Sequence, residues 1–378
     1  MAPGPGSGPR PALPDEIVEE VLLRFPHDDP ACLVRIALVC WRWWRLISAT
    51  LFRRRFCDLH RTAPVMGALL NLSDSDAFFA RFIPTSLSFP QRHADLRGWR
   101  MLDAHHGRAL FHSLPWGLEP WDNELVVWDP VVGKRFTLPK LPWEPNPYER
   151  TWNAVVLCAA TAAARDGGGC NHLDCRRGPF LVVFVLTGHE ETFARVYSSE
   201  DNAWSEPTYA PRMDDYLELA PTVLVGNALY FMFHRTARVL KCDVATQEMT
   251  LIDLPPTTYP HHIVLTTTED GDLGFAGADE FRLYLWSREY GPDGNVRWTQ
   301  SRIIELNTLL PVDALSTSPD VLGFADGVDV IFIGADDGLY SIDLKSSQVR
   351  KVCTQYGFPD FVVPYTSFCA PGRVLLGL

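Results

Sequence analysis

The 378 residues suffice for two or three domains, and 47% hydrophobic with 21% charged residues is ordinary for a chain with a substantial core. A formal net charge of −12 argues against a general nucleic-acid binder or a protein drawn to an anionic membrane. No apolar run approaches the roughly 18 residues a membrane helix needs.

The 30 prolines and 26 glycines imply many turns and favour an all-β body. Nine cysteines, an odd number at scattered spacing, fit reduced thiols in a cytoplasmic or nuclear protein. Basic charge is nearly all Arg, with five lysines and none before Lys134.

In chain order, the opening MAPGPGSGPRPA lacks the apolar core of a secretion signal and predicts a flexible tail over 1–10. Leu13-Pro14-Asp15-Glu16 is a helix start, since Pro suits the first turn and early acids suit the positive end of the dipole. Ile17, Val21 and Leu22 recur at helical spacing, with Glu16, Glu19 and Glu20 on the wet face. Pro26 and the His27-Asp28-Asp29-Pro30 run stop that helix and cap the next.

A second helix takes its apolar side from Leu33, Ile36 and Ala37. A third is lined by Cys40, Trp43, Trp44, Ile47 and Leu51, with Arg42, Arg45 and Arg53 to Arg55 outside it. Three helices in about 40 residues make a marginal core. Such a piece either packs on the rest of its chain or buries its apolar face in a partner.

Leu13-Pro14, Ile17, Val21-Leu22, Leu33, Arg35, Val39-Cys40, Trp43, Leu46-Ile47 and Phe52 follow the F-box pattern almost position by position. Residues 11–57 therefore resemble an F-box, the helical module that docks a protein onto the Skp1 subunit of a ubiquitin ligase. The resemblance implies that Leu13, Pro14, Ile17, Val21, Leu22, Leu33, Val39, Cys40, Trp43 and Leu46 bind Skp1 or hold the module in shape. Ile17 and Trp43 are the candidate anchors. Two positions depart from the family: Trp41 stands where Lys or Arg is usual, and Trp44 where Arg is usual.

A linker over 58–84 leads to a body over 85–378 made of short apolar runs broken by turn residues. One unit recurs, apolar strand, polar turn, apolar strand, at 125–139, 194–207, 239–255, 283–300 and 338–352. Its turn centres lie near 131, 201, 246, 292 and 346, a period near 50 after a longer first gap.

Further hairpins precede these units, as in TVLVGNALYFMF (222–233) and DVLGFADGVDVIFIG (320–334), and two hairpins make one four-stranded blade. The expectation is an all-β propeller with five clear blades. A sixth would be closed by the C-terminal runs VVPYTSF (362–368) and RVLLGL (373–378). Two packed β-sandwiches are the alternative. The phrases Val196-Tyr197-Ser198-Ser199, Gly226-Asn227-Ala228-Leu229-Tyr230 and Ile342-Asp343-Leu344-Lys345-Ser346 also resemble the F-box-associated, kelch-like propeller of plant F-box proteins, grass ones in particular.

Catalytic motifs are not found. There is no GxxxxGK[ST] phosphate loop and no GxSxG elbow. Cys170-x-His172-x-x-Cys175 has zinc-ligand types, but no second cluster in sequence completes a tetrahedral site, and its Gly-rich surroundings (158–178) read as a mobile insertion. No metal or cofactor is expected.

His105-His106, His261-His262, Asp214-Asp215 and Asp336-Asp337 fall in or near turns, where such residues serve the backbone or solvent. Arg53, Arg54, Arg55 and Arg61 read as a solvated helix end and not a phosphate contact, and Trp99, Trp116, Trp121, Trp143 and Trp152 as blade core. The resemblance therefore implies a non-catalytic adaptor that joins Skp1, and through it a cullin, to a target protein. A propeller that binds Skp1 without promoting degradation is the alternative function, and a propeller enzyme is the third.

Overall fold

The computed structural model describes residues 13–26, 30–73, 78–85, 95–114, 124–130, 133–141, 152–162, 170, 172, 175–188, 191–213, 215–256, 263–290, 295–354 and 361–368. The tail over 1–10, the run RVLLGL, His261-His262, Asp214 and Trp116, Trp121 and Trp143 lie outside them. Four helices come first: α1 (Asp15–Leu23), α2 (Pro30–Ala37), α3 (Trp41–Ser48) and α4 (Thr50–His60). The expected third helix is thus two. Ala49 is extended (φ −65°, ψ 137°) and turns the chain between them. Arg61, in the left-handed region at φ 60°, ends α4 and returns its N–H to the Cys57 carbonyl.

Six sheets follow among the described residues, and in all but the first the strands run in sequence order from the ring's centre outward. Blade one places β25 (Val362–Thr366) innermost, then β1 (Val65–Ser73), β2 (Phe78–Pro84) and β3 (Asp95–Arg97). Blade two is β4 (Trp99–His105), β5 (Arg108–Ser113), β6 (Leu125–Asp129) and β7 (Lys134–Thr137). Blade three is β8 (Trp152–Cys158), β9 (Phe180–Leu186), β10 (Thr192–Ser198) and β11 (Ala203–Trp204), with β12 (Thr208–Ala210) also on β10.

Blade four is β13 (Val223–Val225), β14 (Ala228–Met232), β15 (Arg238–Asp243) and β16 (Met249–Asp253). Blade five is β17 (Ile263–Thr267), β18 (Leu273–Asp279), β19 (Arg282–Tyr290) and β20 (Val296–Glu305). Blade six is β21 (Asp320–Ala325), β22 (Val330–Ala335), β23 (Gly338–Asp343) and β24 (Val349–Thr354).

The fold is therefore a helical module followed by a six-bladed propeller. The ring is closed by β25, which pairs antiparallel with β1 from Val65 opposite Thr366 to Leu70 opposite Val362. Closure removes a sheet edge that would otherwise be open to other chains. The span 58–84, expected as a linker, holds the end of α4 and strands β1 and β2; β1 pairs with β25 at 362–366, too distant in sequence to be read locally.

The recurring units are the outer hairpins β6–β7, β10–β11, β15–β16, β19–β20 and β23–β24. Three share one turn. Asp129, Asp243 and Asp343 each end a strand, and their carbonyls accept the N–H of Gly133, Gln247 and Ser347, all with φ between 56° and 71°. The Asp243 and Asp343 carboxylates also accept the next two turn amides, which is why Asp recurs there.

Inner strands carry the core. All of β8 is buried, whereas the outer β7 and β20 are largely exposed. At Gly323 of β21 a Cβ would lie 2.2 Å from the Val362 carbonyl oxygen of β25, so only glycine lets these two blades approach. Polar staples join the blades as well. The Asn71 amide bonds Met101 N–H and C=O, both at 2.8 Å, and the Tyr365 hydroxyl donates to the Gly107 carbonyl at 2.8 Å.

Candidate docking face and the mouth of the propeller

The helical module divides its apolar residues between two faces. Val18, Leu22, Leu23, Leu33, Ala37, Ile47, Phe52 and Phe56 form its core together with Phe368, which follows the ring-closing strand. The Phe56 and Phe368 rings meet edge-on at 6.1 Å. Ile17 and Val21, one turn apart on α1, are 49% and 50% exposed, with Leu13 exposed before them. Leu38 and Val39 in the α2–α3 turn, and Trp41 at the start of α3, are also exposed.

Ion pairs fix α1 against the later helices. Arg42 Nε donates to Asp15 Oδ1 at 2.6 Å and Arg45 reaches Asp15 Oδ2 at 3.1 Å. Arg55 bonds Glu19 at 2.6 Å and also Glu20. The Arg42 hydrogen bond holds the Asp15 carboxyl below its ordinary range. His60 Nε2 donates to the Leu23 carbonyl at 2.9 Å. Glu19, Glu20, Arg42, Arg45 and Arg55, expected on outer faces, are the clips between helices.

The ten candidate residues separate accordingly. Leu13, Pro14, Ile17, Val21, Val39 and Cys40 are exposed, Leu22 and Leu33 are buried inside the module, and Trp43 and Leu46 are half-buried against its core. Leu38 was missed, because it follows the helical apolar side of Ile36 and Ala37 yet falls in the turn after α2.

The propeller's mouth opens at the ends of the inner strands, the face where α4 enters β1. A cavity of about 240 Å³ there is lined by Asp103, His105, His106, Thr222 and Asp326, with Phe324 and Val363 as apolar wall. Asp103 is buried and ties three blades, accepting from Val156 N–H at 2.9 Å, Thr222 Oγ1 at 3.3 Å and His105 Nδ1 at 2.9 Å. Burial disfavours the His105 cation, but the carboxylates of Asp103 and Asp326 outweigh it and raise its pKa. Burial raises Asp326 to about 6. These groups staple the blades together.

Beside the mouth lies a cluster that corrects the sequence reading. Cys158, the last residue of β8, joins Cys170, His172 and Cys175, and one donor atom of each lies within 4.8 Å of the others. The described parts of this insertion are folded, with short 3₁₀ turns at Ala159–Thr161 and Cys175–Arg177. The Cys175 thiol bonds Cys158 and holds its pKa down to about 4, while that same bond and burial push Cys175 up. Cys158 sits 12 residues before Cys170, too far for a motif spacing, so only the fold unites them.

A family model described as F-box protein AT5G49610-like, beta-propeller, matches residues 101–366, and an F-box domain model matches residues 11–54. The chain belongs to this F-box propeller family. The F-box/kelch-repeat protein At1g13200 of Arabidopsis thaliana is 22% identical over 296 residues, 68% of this chain and 65% of that protein. The chain thus spans just under two thirds of that relative's length.

Among solved structures, a nidogen–laminin complex superposes at TM-score 0.42 with 9% identity, over 80% of this chain and 99% of that one. The periplasmic gluconolactonase PpgL of Pseudomonas aeruginosa gives 0.41 with 12% identity, over 76% of this chain and 82% of that one.

In this F-box protein the two departures from the family pattern are partners of each other. The rings of Trp41 and Trp44 stack with centroids 4.4 Å apart and planes 19° apart. The pair gives α3 an aromatic surface beside Val39 where the family usually carries charge. Blade one, β1 to β3, lies before the stretch matched by the propeller model, although its innermost strand lies within it.

Proposed function

We propose that this F-box propeller protein is the substrate-receptor subunit of an SCF-type (Skp1–cullin–F-box) E3 ubiquitin ligase, acting in the cytoplasm or nucleus. Its helical module engages a Skp1-like protein, and through it a cullin, while the propeller holds a target protein. The observation that carries this reading is the division of the module's apolar surface. One face is packed on Phe368, and the other leaves Leu13, Ile17, Val21, Leu38 and Val39 in solvent. Exposed apolar patches of this kind mark interaction sites.

The chain contributes position and no chemistry. Holding a target lysine near a charged ubiquitin carrier raises effective concentration without any catalytic group. Because the module joins the propeller where the inner strands end, the target is assigned to the opposite face. There each outer strand crosses to the next inner strand. A non-degrading Skp1-binding protein would share the docking face and lack the outcome.

The test is capture of a Skp1-like protein and a cullin by the full chain, wild type against Ile17→Asp and Val39→Asp. Both positions are exposed, so both variants fold, and each loses Skp1 by about 30-fold or more, the weight of an interface anchor. Undiminished capture by both variants would remove the docking face. Capture without any change in target abundance on knockout would favour the non-degrading reading.

A further inference from the structure

We propose that Cys158, Cys170, His172 and Cys175 bind one zinc ion as a structural Cys₃His site. Three thiolates and one imidazole are a donor set for tetrahedral zinc, in which sulfur atoms stand about 3.8 Å apart. Here the four donors already lie within 4.8 Å of one another, and His172 Nδ1 is 3.9 Å from Cys175 Sγ. Small movements of side chains alone complete the site. Binding releases to solvent whatever protons the ligand thiols still carry.

The topology gives the metal a task. Residues 159–179 connect β8 to β9, where blade two makes the same connection with His106-Gly107 and blade four with Gly226-Asn227. A connection this long needs something to hold it. The ligands stand at its two ends, Cys158 closing β8 and the other three shortly before β9, so one ion ties the loop at its base.

Surrounding groups fit an anionic metal centre. Zinc with three thiolates carries one net negative charge. Arg108 donates to the carbonyls of Cys175 and Gly178 at 2.8 and 2.7 Å. Its Nη1 and Arg176 Nε are buried without a hydrogen-bond acceptor among the described residues, and Arg176 Nη1 pairs with the Asp129 carboxylate at 3.9 Å. His106 stacks on His172 at 4.1 Å and accepts the Cys158 N–H at 3.1 Å, orienting two ligands at once. His172 holds φ 57°, a left-handed conformation that a bond to metal would sustain.

The site also touches the junction with the helical module. A small cleft is lined by Ala63 after α4, His106, His172, Arg176 and Ser367 after β25. A metal-tied loop would therefore brace the module's footing on the propeller. The inference is independent of any Skp1 contact.

Full-length protein purified without chelator should carry about one zinc per chain by elemental mass spectrometry. Cobalt added to the metal-free chain should give the thiolate charge-transfer band and tetrahedral d–d absorption, both abolished by zinc. Cys158→Ser and Cys175→Ser should each lower metal content at least about tenfold. Cys353→Ser, half-buried on β24, should keep it.

Should the serine variants fail to fold, the wild-type stoichiometry and cobalt spectrum still decide. Wild-type protein holding less than about 0.1 zinc per chain with no cobalt band would overturn the site. So would a Cys158–Cys175 disulfide in protein kept under reducing cytosolic conditions.

Discussion

The helical module and the propeller treat their apolar residues in opposite ways. The propeller turns every inner strand toward its neighbours and uses its last strand, β25, to close the ring. The module satisfies one side with Phe368 and leaves Ile17, Val21 and Val39 uncovered. The ring packs its inner strands on one another and leaves single side chains such as Phe78, Leu251 and Ile303 exposed on separate strands. A module of about 50 residues that packs on one side only leaves the other side in solvent, the side the proposed function assigns to a partner.

The largest effect that tests this contrast belongs to the ring. Tyr365 of β25 is fully buried, packs edge-on against Phe82 at 5.9 Å and bonds the Gly107 carbonyl. Tyr365→Ala should cost about 3–5 kcal/mol, read as a lower urea midpoint at unchanged slope. A loss below about 1 kcal/mol would mean that ring closure does not depend on this strand.

Next comes the seam between the two regions. Phe368→Ala removes the Phe56 contact and should cost about 2–3 kcal/mol, because the site lies at the edge of a small core. Helical circular dichroism should then be lost at lower urea than the tryptophan signal of the blades. Coincident transitions would show that the module does not depend on this footing.

What could be read from residues alone follows the same division. The helix start at Leu13-Pro14 and the repeat of outer hairpins are local, and the structure keeps them. The apolar spacing of Ile17, Val21 and Leu22 along α1 was legible. Which of the ten docking candidates face outward was not, since Leu22 and Leu33 differ from Ile17 only in what packs on them.

Strand β1 falls in the span expected as a linker because its ring-closing partner lies nearly 300 residues away. Cys158 joined its cluster only through blade three. Long-range pairing was illegible in both cases for the same reason: neither partner carries a local mark of the other.

A smaller effect tests the mouth, where the ring buries charge. With its pKa raised from 3.8 to about 6 by burial, Asp326 costs nothing below about pH 3.8, where folded and unfolded states both hold the proton. Above about pH 6 the folded state bears the whole cost of the buried charge, so stability from this group falls across that window. His105 works with it: its raised pKa adds stability below 6.5 that is lost as pH rises through the folded value. Asp326→Asn removes the buried charge and also one of the two carboxylates that support the His105 cation. Its melting temperature should therefore exceed wild type at pH 8 and lose that advantage by pH 5. A difference independent of pH would assign Asp326 no titration in this range.

The smallest expected effect lies at the rim of the ring, where the turn repeats. Asp343 accepts the N–H groups of Lys345 and Ser346 at 2.9 and 2.7 Å, as Asp243 does for Ala245 and Thr246. These turns are solvent-exposed, so water replaces what the carboxylate supplied, and Asp343→Ala should cost only about 1 kcal/mol. Amide exchange should quicken at Lys345, Ser346 and Ser347 and stay unchanged along β8, on the far side of the ring. If protection fell along β8 as well, the blades would be coupled through their rims. The propeller would then open as one unit, whereas the module could still loosen at Phe368 alone.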